Sequence, residues 1–179
     1  TGLLDTQQRE PVPVVYMTAE DGLADTLRPR LDQLGADPSY IYAITAASAE
    51  ESNFERAVTL SDLDVLKDAL ERTKAVLLVI DPIQAYLGAS VDMHRANEVR
   101  PILSGLSRLA EQFTCAVVGI RHLAKASAAR AIYRGLGSID FTAAARSVLL
   151  IGRDPDNETA CALVQTKNSL APHGIPLAY

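Results

Sequence analysis

Ala75-Val76-Leu77-Leu78-Val79-Ile80 is an unbroken apolar run, closed by Asp81-Pro82. A run with no polar position, stopped by an acid and a proline, suits a strand of a parallel sheet buried on both faces. Parallel neighbours cannot be joined by tight turns, so such a strand demands long crossovers. The rest of the chain supplies them. Val12 to Met17 reads as a strand ending near Thr18, and Ile41 to Ile44 as a short second one. Between them Leu23, Leu27, Leu31 and Leu34 recur at helical spacing up to Gly35, with Pro29 kinking or dividing the helix. Residues 45–58 are small and polar and read as loop. Ser61 with Asp64 resembles a capping box ahead of a helix face of Leu63, Leu66 and Leu70.

Beyond Asp81, residues 83–93 read as loop, and Val99, Ile102, Leu103, Leu106, Leu109, Ala110 and Phe113 mark a long amphipathic helix with a kink or restart at Pro101. Cys115 to Ile120 is another buried strand, ending at Arg121-His122. A short helix is expected over 139–145. The turn residues Asp154-Pro155-Asp156-Asn157 predict a hairpin of 147–152 with 159–166, and Ile175 to Tyr179 an edge strand. The order strand, helix, strand, helix, strand gives an α/β layered fold with a mainly parallel sheet, finished by an antiparallel hairpin, in one domain over 1–179.

Composition narrows the function classes. Apolar residues make up 48% and charged residues 22%, an ordinary globular balance. No apolar run approaches the roughly 18 residues that cross a bilayer, and no secretory leader opens the chain, so no membrane partner is expected. Net charge is −5, which argues against indiscriminate nucleic-acid binding and leaves room for a local basic groove. Cys115 and Cys161 stand far apart without CxxC spacing, which suggests buried thiols in a reducing, cytoplasmic compartment.

Three polar residues follow three apolar strands: Glu20, Asp81 and His122. The carboxyl edge of an open α/β sheet is where ligands bind. One carboxylate there can hold Mg²⁺ directly or through water, another can orient an attacking water, and an imidazole can contact phosphate. Taken singly, each is also what a loop start, a helix cap or an ordinary loop histidine looks like. The stretch 121–139 carries Arg121, His122, Lys125, Arg130 and Arg134 and is free of acids, a local reversal of sign that suits either a phosphate backbone or solvent. Arg146 precedes one apolar strand and Lys167 ends another. Both suit either a phosphate in a neighbouring subunit or surface salt bridges.

As an ordered set these segments resemble the RecA-type P-loop ATPases, in the branch of RepA-like hexameric helicases and phage or plasmid AAA-type ATPases. The carriers are Val14 to Asp21, Leu77 to Pro82 with Ala85-Tyr86-Leu87-Gly88, His122 to Lys125, Gly137-Ser138, Ala143 to Ser147, and Thr166-Lys167-Asn168. The resemblance implies a three-layer RecA-like fold binding ATP and Mg²⁺. Glu20 would polarise the attacking water, Asp81 would be the Walker B aspartate on Mg²⁺, and Asp21 would join them at the nucleotide. His122 would sense the γ-phosphate, and Arg146 would reach into the adjacent protomer's site. Lys167 would be the lysine of a Lys-x-Arg pair whose arginine position here is Ser169. Lys125, Arg130 and Arg134 would face single-stranded DNA in the channel of a homo-oligomeric ring. Nothing in the chain reads G-x-x-x-x-G-K-[ST]. The expectation is therefore a domain lacking its first strand, P-loop and following helix, weak or inactive alone. The alternative expectation is a non-catalytic assembly module that supplies trans residues to a partner's site.

Overall fold

The apolar run does become the middle of a sheet. In a computed structural model, which describes residues 10–45, 47–49, 52–123, 137–154, 157 and 159–179, four strands pair in parallel. They are β1 (Val14–Thr18), β2 (Ile41–Ala43), β5 (Leu77–Asp81) and β6 (Ala116–Gly119), in the order β2-β1-β5-β6. Register pairs Val14 with Leu77 through to Thr18 with Asp81, and Leu77 with Ala116 through to Ile80 with Gly119. Val15, Met17, Leu78 and Ile80 share one face and are buried.

The other face corrects the sequence reading. Successive side chains of a strand point to opposite sides, and among the described residues only one side is fully closed. Leu77, Val79 and Asp81 are half-buried, and Val118 on β6 is 47% exposed, so neither β5 nor β6 is buried on both faces.

The first crossover is in two pieces, as Pro29 implies. A single π-helical turn, Leu23–Leu27, hands over to α1 (Arg28–Gln33), with Pro29 at its second position. Gly35 at φ +72° ends it. The expected apolar stripe does not form: Leu27 is buried, whereas Leu34 is 83% exposed. The wider π turn shifts the phase of everything after it, so a uniform helical period no longer describes one face.

Residues 45–58 are not simply loop. The backbone forms an antiparallel ribbon of β3 (Ala47–Ala49) and β4 (Ser52–Arg56), with a register irregularity after Ser48. Next comes α2 (Leu63–Thr73), which lies against β1 and buries Leu66 and Leu70. The capping box is replaced. Asp62 is the N-cap and makes no side-chain cap bond; its carboxylate accepts from Thr59 N at 2.8 Å and Thr59 Oγ1 at 3.0 Å. A 3₁₀ turn, Ile83–Tyr86, occupies part of the expected 83–93 loop. The long helix is α3 (Ala96–Gln112), with Pro101 inside it and Val99, Leu106 and Leu109 buried.

The described chain divides into two compact units. The first, up to Tyr86 and from Leu106 to Ile120, holds the parallel sheet. The second, Leu87–Gly105 and Arg121–Tyr179, holds α4 (Asp140–Ala144) and an antiparallel sheet of β7 (Ser147–Arg153), β8 (Cys161–Asn168) and β9 (Leu177–Ala178). The expected hairpin is β7 with β8, and the expected edge strand is β9, pairing Leu177 with Leu163. Here polar anchors are prominent. Asp140 is buried and takes a 2.6 Å bond from Arg100, with Ser138 on its other oxygen. Gly137 sits at φ +91°, where a Cβ would stand 3.0 Å from the Met93 carbonyl and 3.1 Å from Phe141. Cys115 is buried and Cys161 half-buried, both as free thiols. No helix among the described residues is long and apolar enough to cross a membrane.

Leu78 and Val118 lie on neighbouring strands in opposite environments, which makes a paired test of this core. Leu78→Ala should destabilise by about 2–5 kcal/mol, read as a lower urea midpoint at constant m. Val118→Ala should stay within about 1 kcal/mol of the parent.

Candidate functional site

Asp81 is the last residue of β5, and the register sets it beside Thr18 at the carboxyl end of the parallel sheet. Its Oδ2 accepts a 3.0 Å hydrogen bond from the Tyr16 hydroxyl, and its main-chain oxygen accepts from Ala19 N at 3.0 Å. Oδ1 has no hydrogen-bond partner among the described residues. The surroundings are strongly acidic. Burial, the bond to Asp81, and the charges of Asp81 and Asp21 together push the Tyr16 pKa up to about 12, with Arg30 pulling the other way. Burial and the Asp81 charge likewise raise that of Tyr86.

The chain turns directly after β1. Thr18 Oγ1 accepts from Asp21 N at 3.2 Å and donates to Asp21 O at 3.1 Å. This turn carries Glu20 on its exposed tip, where it is engaged by other groups. It also sets Asp21 against Arg30, with a 2.6 Å contact from Nη1 to Oδ2. Asp81, Asp21 and Glu20 therefore belong to one end of one sheet. Two of the three carboxylates lie close enough to Tyr16 to act on a single hydroxyl.

The remaining predicted residues lie in the second unit or outside the described residues. His122 follows the end of β6 by three positions and is exposed and engaged. Beside it Arg121 is half-buried over the Phe141 ring, 4.7 Å from its centroid, and donates to Thr142 Oγ1 at 3.3 Å. Burial pushes the Arg121 pKa down. Arg146 is exposed, and its side chain makes no hydrogen bond or ion pair among the described residues. Lys167 Nζ donates to three carbonyls, those of Thr142 (2.9 Å), Ala143 (2.7 Å) and Ala145 (2.7 Å). Lys125, Arg130 and Arg134 lie outside the described residues.

The donor set fits Mg²⁺ better than a cage-bound ion. Mg²⁺ keeps much of its water and takes one or two carboxylates along with substrate phosphates. Asp81, oriented through one oxygen and open at the other, suits that role. Among the described residues no three His, Cys, Asp or Glu side chains gather into a metal cluster.

Sequence reasoning passed over Tyr16 as strand filler. Period two puts Tyr16 and Thr18 on one face of β1, so a polar tip was legible there. That the tip meets Asp81 depends on the register between β1 and β5, which no local pattern states.

Comparison with known proteins adds two findings. A family model described as an AAA domain matches residues 2–128. Among solved structures, the crystal structure of the RadB recombinase is similar, with a TM-score of 0.62 and 17% identity over 93% of this chain and 74% of that one. That likeness shows the fold: an α/β RecA-like architecture, with the mainly parallel sheet and antiparallel sheet described above. No curated protein sequence matches the chain.

The Tyr16 bond has a pH signature. With a folded pKa of about 12 against an ordinary 10.0, the native state binds this proton more tightly than the unfolded chain. Its contribution is complete below pH 10 and is lost as pH rises towards 12. Urea midpoints in that window should fall less steeply for Tyr16→Phe. At neutral pH the variant should be about 1 kcal/mol less stable, from the lost bond to a charged acceptor.

Proposed function

Because the chain belongs to the AAA domain family, whose model covers residues 2–128, we propose that it is the ATPase domain of a RepA-like helicase or replication-associated motor that couples Mg-ATP hydrolysis to single-stranded DNA. Membership of the RecA-like P-loop ATPase superfamily rests on that match and on the fold shared with RadB. The single observation that carries the site is Asp81. It is an acid fixed at the end of the central strand, held through one oxygen by Tyr16 and open at the other.

The residues divide the work as follows. Asp81 holds the metal shell. Glu20, on the turn after β1, orients and polarises the attacking water. Asp21 stands behind that turn, its charge partly offset by Arg30. His122 contacts the terminal phosphate and passes its presence to the basic stretch. Lys125, Arg130 and Arg134 there hold the phosphate backbone of DNA. Mg²⁺ held by Asp81 would supply positive charge to offset the negative charge that develops on the phosphate oxygens. Arg146 does the same from the neighbouring protomer of a cytoplasmic homo-oligomeric ring, a reading supported by its exposed guanidinium, which makes no bond among the described residues. The 179 residues act as a single domain in this reading.

A second reading rests on the same arginine. An ATPase-like assembly module would lend Arg146 to a partner's site and hydrolyse nothing itself.

Turnover by the gene product that carries this chain separates the two. Under the first reading, Glu20→Gln binds nucleotide and does not turn over, Asp81→Asn loses its Mg²⁺ dependence with its activity, and Arg146→Ala slows turnover about a thousandfold. Mixing Glu20→Gln with Arg146→Ala subunits then restores part of the rate, because an Arg146→Ala subunit keeps its own Glu20 and receives the arginine of a Glu20→Gln neighbour. Under the second, Glu20→Gln is silent and Arg146→Ala abolishes a partner's ATPase. DNA-stimulated turnover that weakens steeply with salt, and weakens less steeply in Lys125→Ala, tests the nucleic-acid arm.

A further inference from the structure

Lysine side chains at a protein surface ordinarily keep their ammonium in water. Lys167 does the opposite. An ammonium has three donors, and all three are committed, at 2.7–2.9 Å, to the carbonyls of Thr142, Ala143 and Ala145. Those oxygens belong to the last turn of α4 and the residue after it, where helix carbonyls lack intrahelical partners and a cation is favoured.

Two further bonds tie the same short segment to β8 and its continuation. Ser169 N donates to the Arg146 carbonyl at 2.8 Å, and Gln165 Nε2 donates to Ser147 Oγ at 2.8 Å. Residues 145, 146 and 147 are thus held, one after another, by Lys167, Ser169 and Gln165. The side chain between them, Arg146, is exposed and makes no bond among the described residues. A fixed backbone beneath an uncommitted guanidinium is what a residue aimed at an external anion needs. Displacing a positioned catalytic group by about 1 Å can cost about a hundredfold in rate.

We propose that Lys167 is a positioning residue for Arg146, acting within its own chain by clamping the α4 terminus, rather than a second cation delivered to the neighbouring site. This rests on the reading of Arg146 as the residue that acts on a phosphate in trans.

Four proteins test it: Arg146→Ala, Lys167→Met, the double variant, and Lys167→Arg, each as the gene product that carries this chain. Lys167→Met should lower kcat about ten- to a hundredfold with little change in KM. Lys167→Arg, which keeps charge and donors, should recover most of the loss. The double variant should be no slower than Arg146→Ala, because the lysine works only through the arginine. Hydrogen exchange at the Ala143 and Ala145 amides should quicken in Lys167→Met while that of β8 holds. If Lys167→Met does not fold, Lys167→Gln takes its place with the same expectations. A double variant clearly slower than Arg146→Ala, or unchanged exchange at Ala143 and Ala145, overturns the positioning role and leaves the trans reading of Arg146 standing. Arg146→Ala with full activity overturns the reading beneath it, and the positioning role falls with it.

Discussion

The pairing of β1 with β5 fixes everything that the first unit does. Val15, Met17, Leu78 and Ile80 are buried together on one side of the sheet. Strand period two then leaves no choice for the residues between them: Tyr16, Thr18, Val79 and Asp81 must face the other way. A slip of β5 by one residue would turn Leu78 and Ile80 outward and bring Asp81 in among apolar side chains, where an unpaired carboxylate is costly. The hydrogen bond from Tyr16 to Asp81 is therefore a consequence of apolar packing on the opposite face. The acid is held in place by residues it never touches.

The second unit orders its functional segment by other means. Its sheet is thinly covered, with Leu149 and Ile151 about half exposed and β8 half-buried along its length. Charge-assisted and main-chain bonds supply the precision that packing does not. Asp140 is anchored between Arg100 and Ser138 at the start of α4, and Lys167 gathers the carbonyls at its end. A five-residue helix has almost no stability of its own. Tying down both ends is what gives the Arg146 segment that follows a defined starting point.

These two modes explain what the sequence could and could not show. Apolar runs are local, so the four parallel strands, the hairpin and the division of the first helix at Pro29 were readable in order. The burial of each strand was not, because an apolar run says nothing about whether its second face is covered. The Leu23-Leu27-Leu31-Leu34 stripe failed for a related reason: it assumes one helical pitch, and a π turn changes it. The β3–β4 ribbon carries no apolar alternation and is held by backbone bonds, which leave little trace in composition. Glu20, Asp81 and His122 could be singled out because each stands at the end of an apolar strand or within three residues after it. Tyr16 and Lys167 were not legible as a pair of clamps, since each acts on a residue more than 20 positions away.

Partner chemistry, more than residue type, distinguishes the charged groups that remain. Asp81 is held by a phenol, which brings no countercharge, and has one oxygen without a hydrogen-bond partner among the described residues. Asp21 faces a guanidinium at 2.6 Å, and although that pair is exposed and screened, part of its charge is already answered. A cation arriving at this sheet end gains more from Asp81 than from Asp21. The same contrast separates Lys167 from Arg146 in the second unit. Lys167 has spent its three donors on main-chain oxygens, and an anion that recruited it would have to replace bonds already made. Arg146 has spent none among the described residues. Asp81 keeps one oxygen open and Arg146 makes no bond among the described residues, which supports proposing the metal for the first and a phosphate for the second.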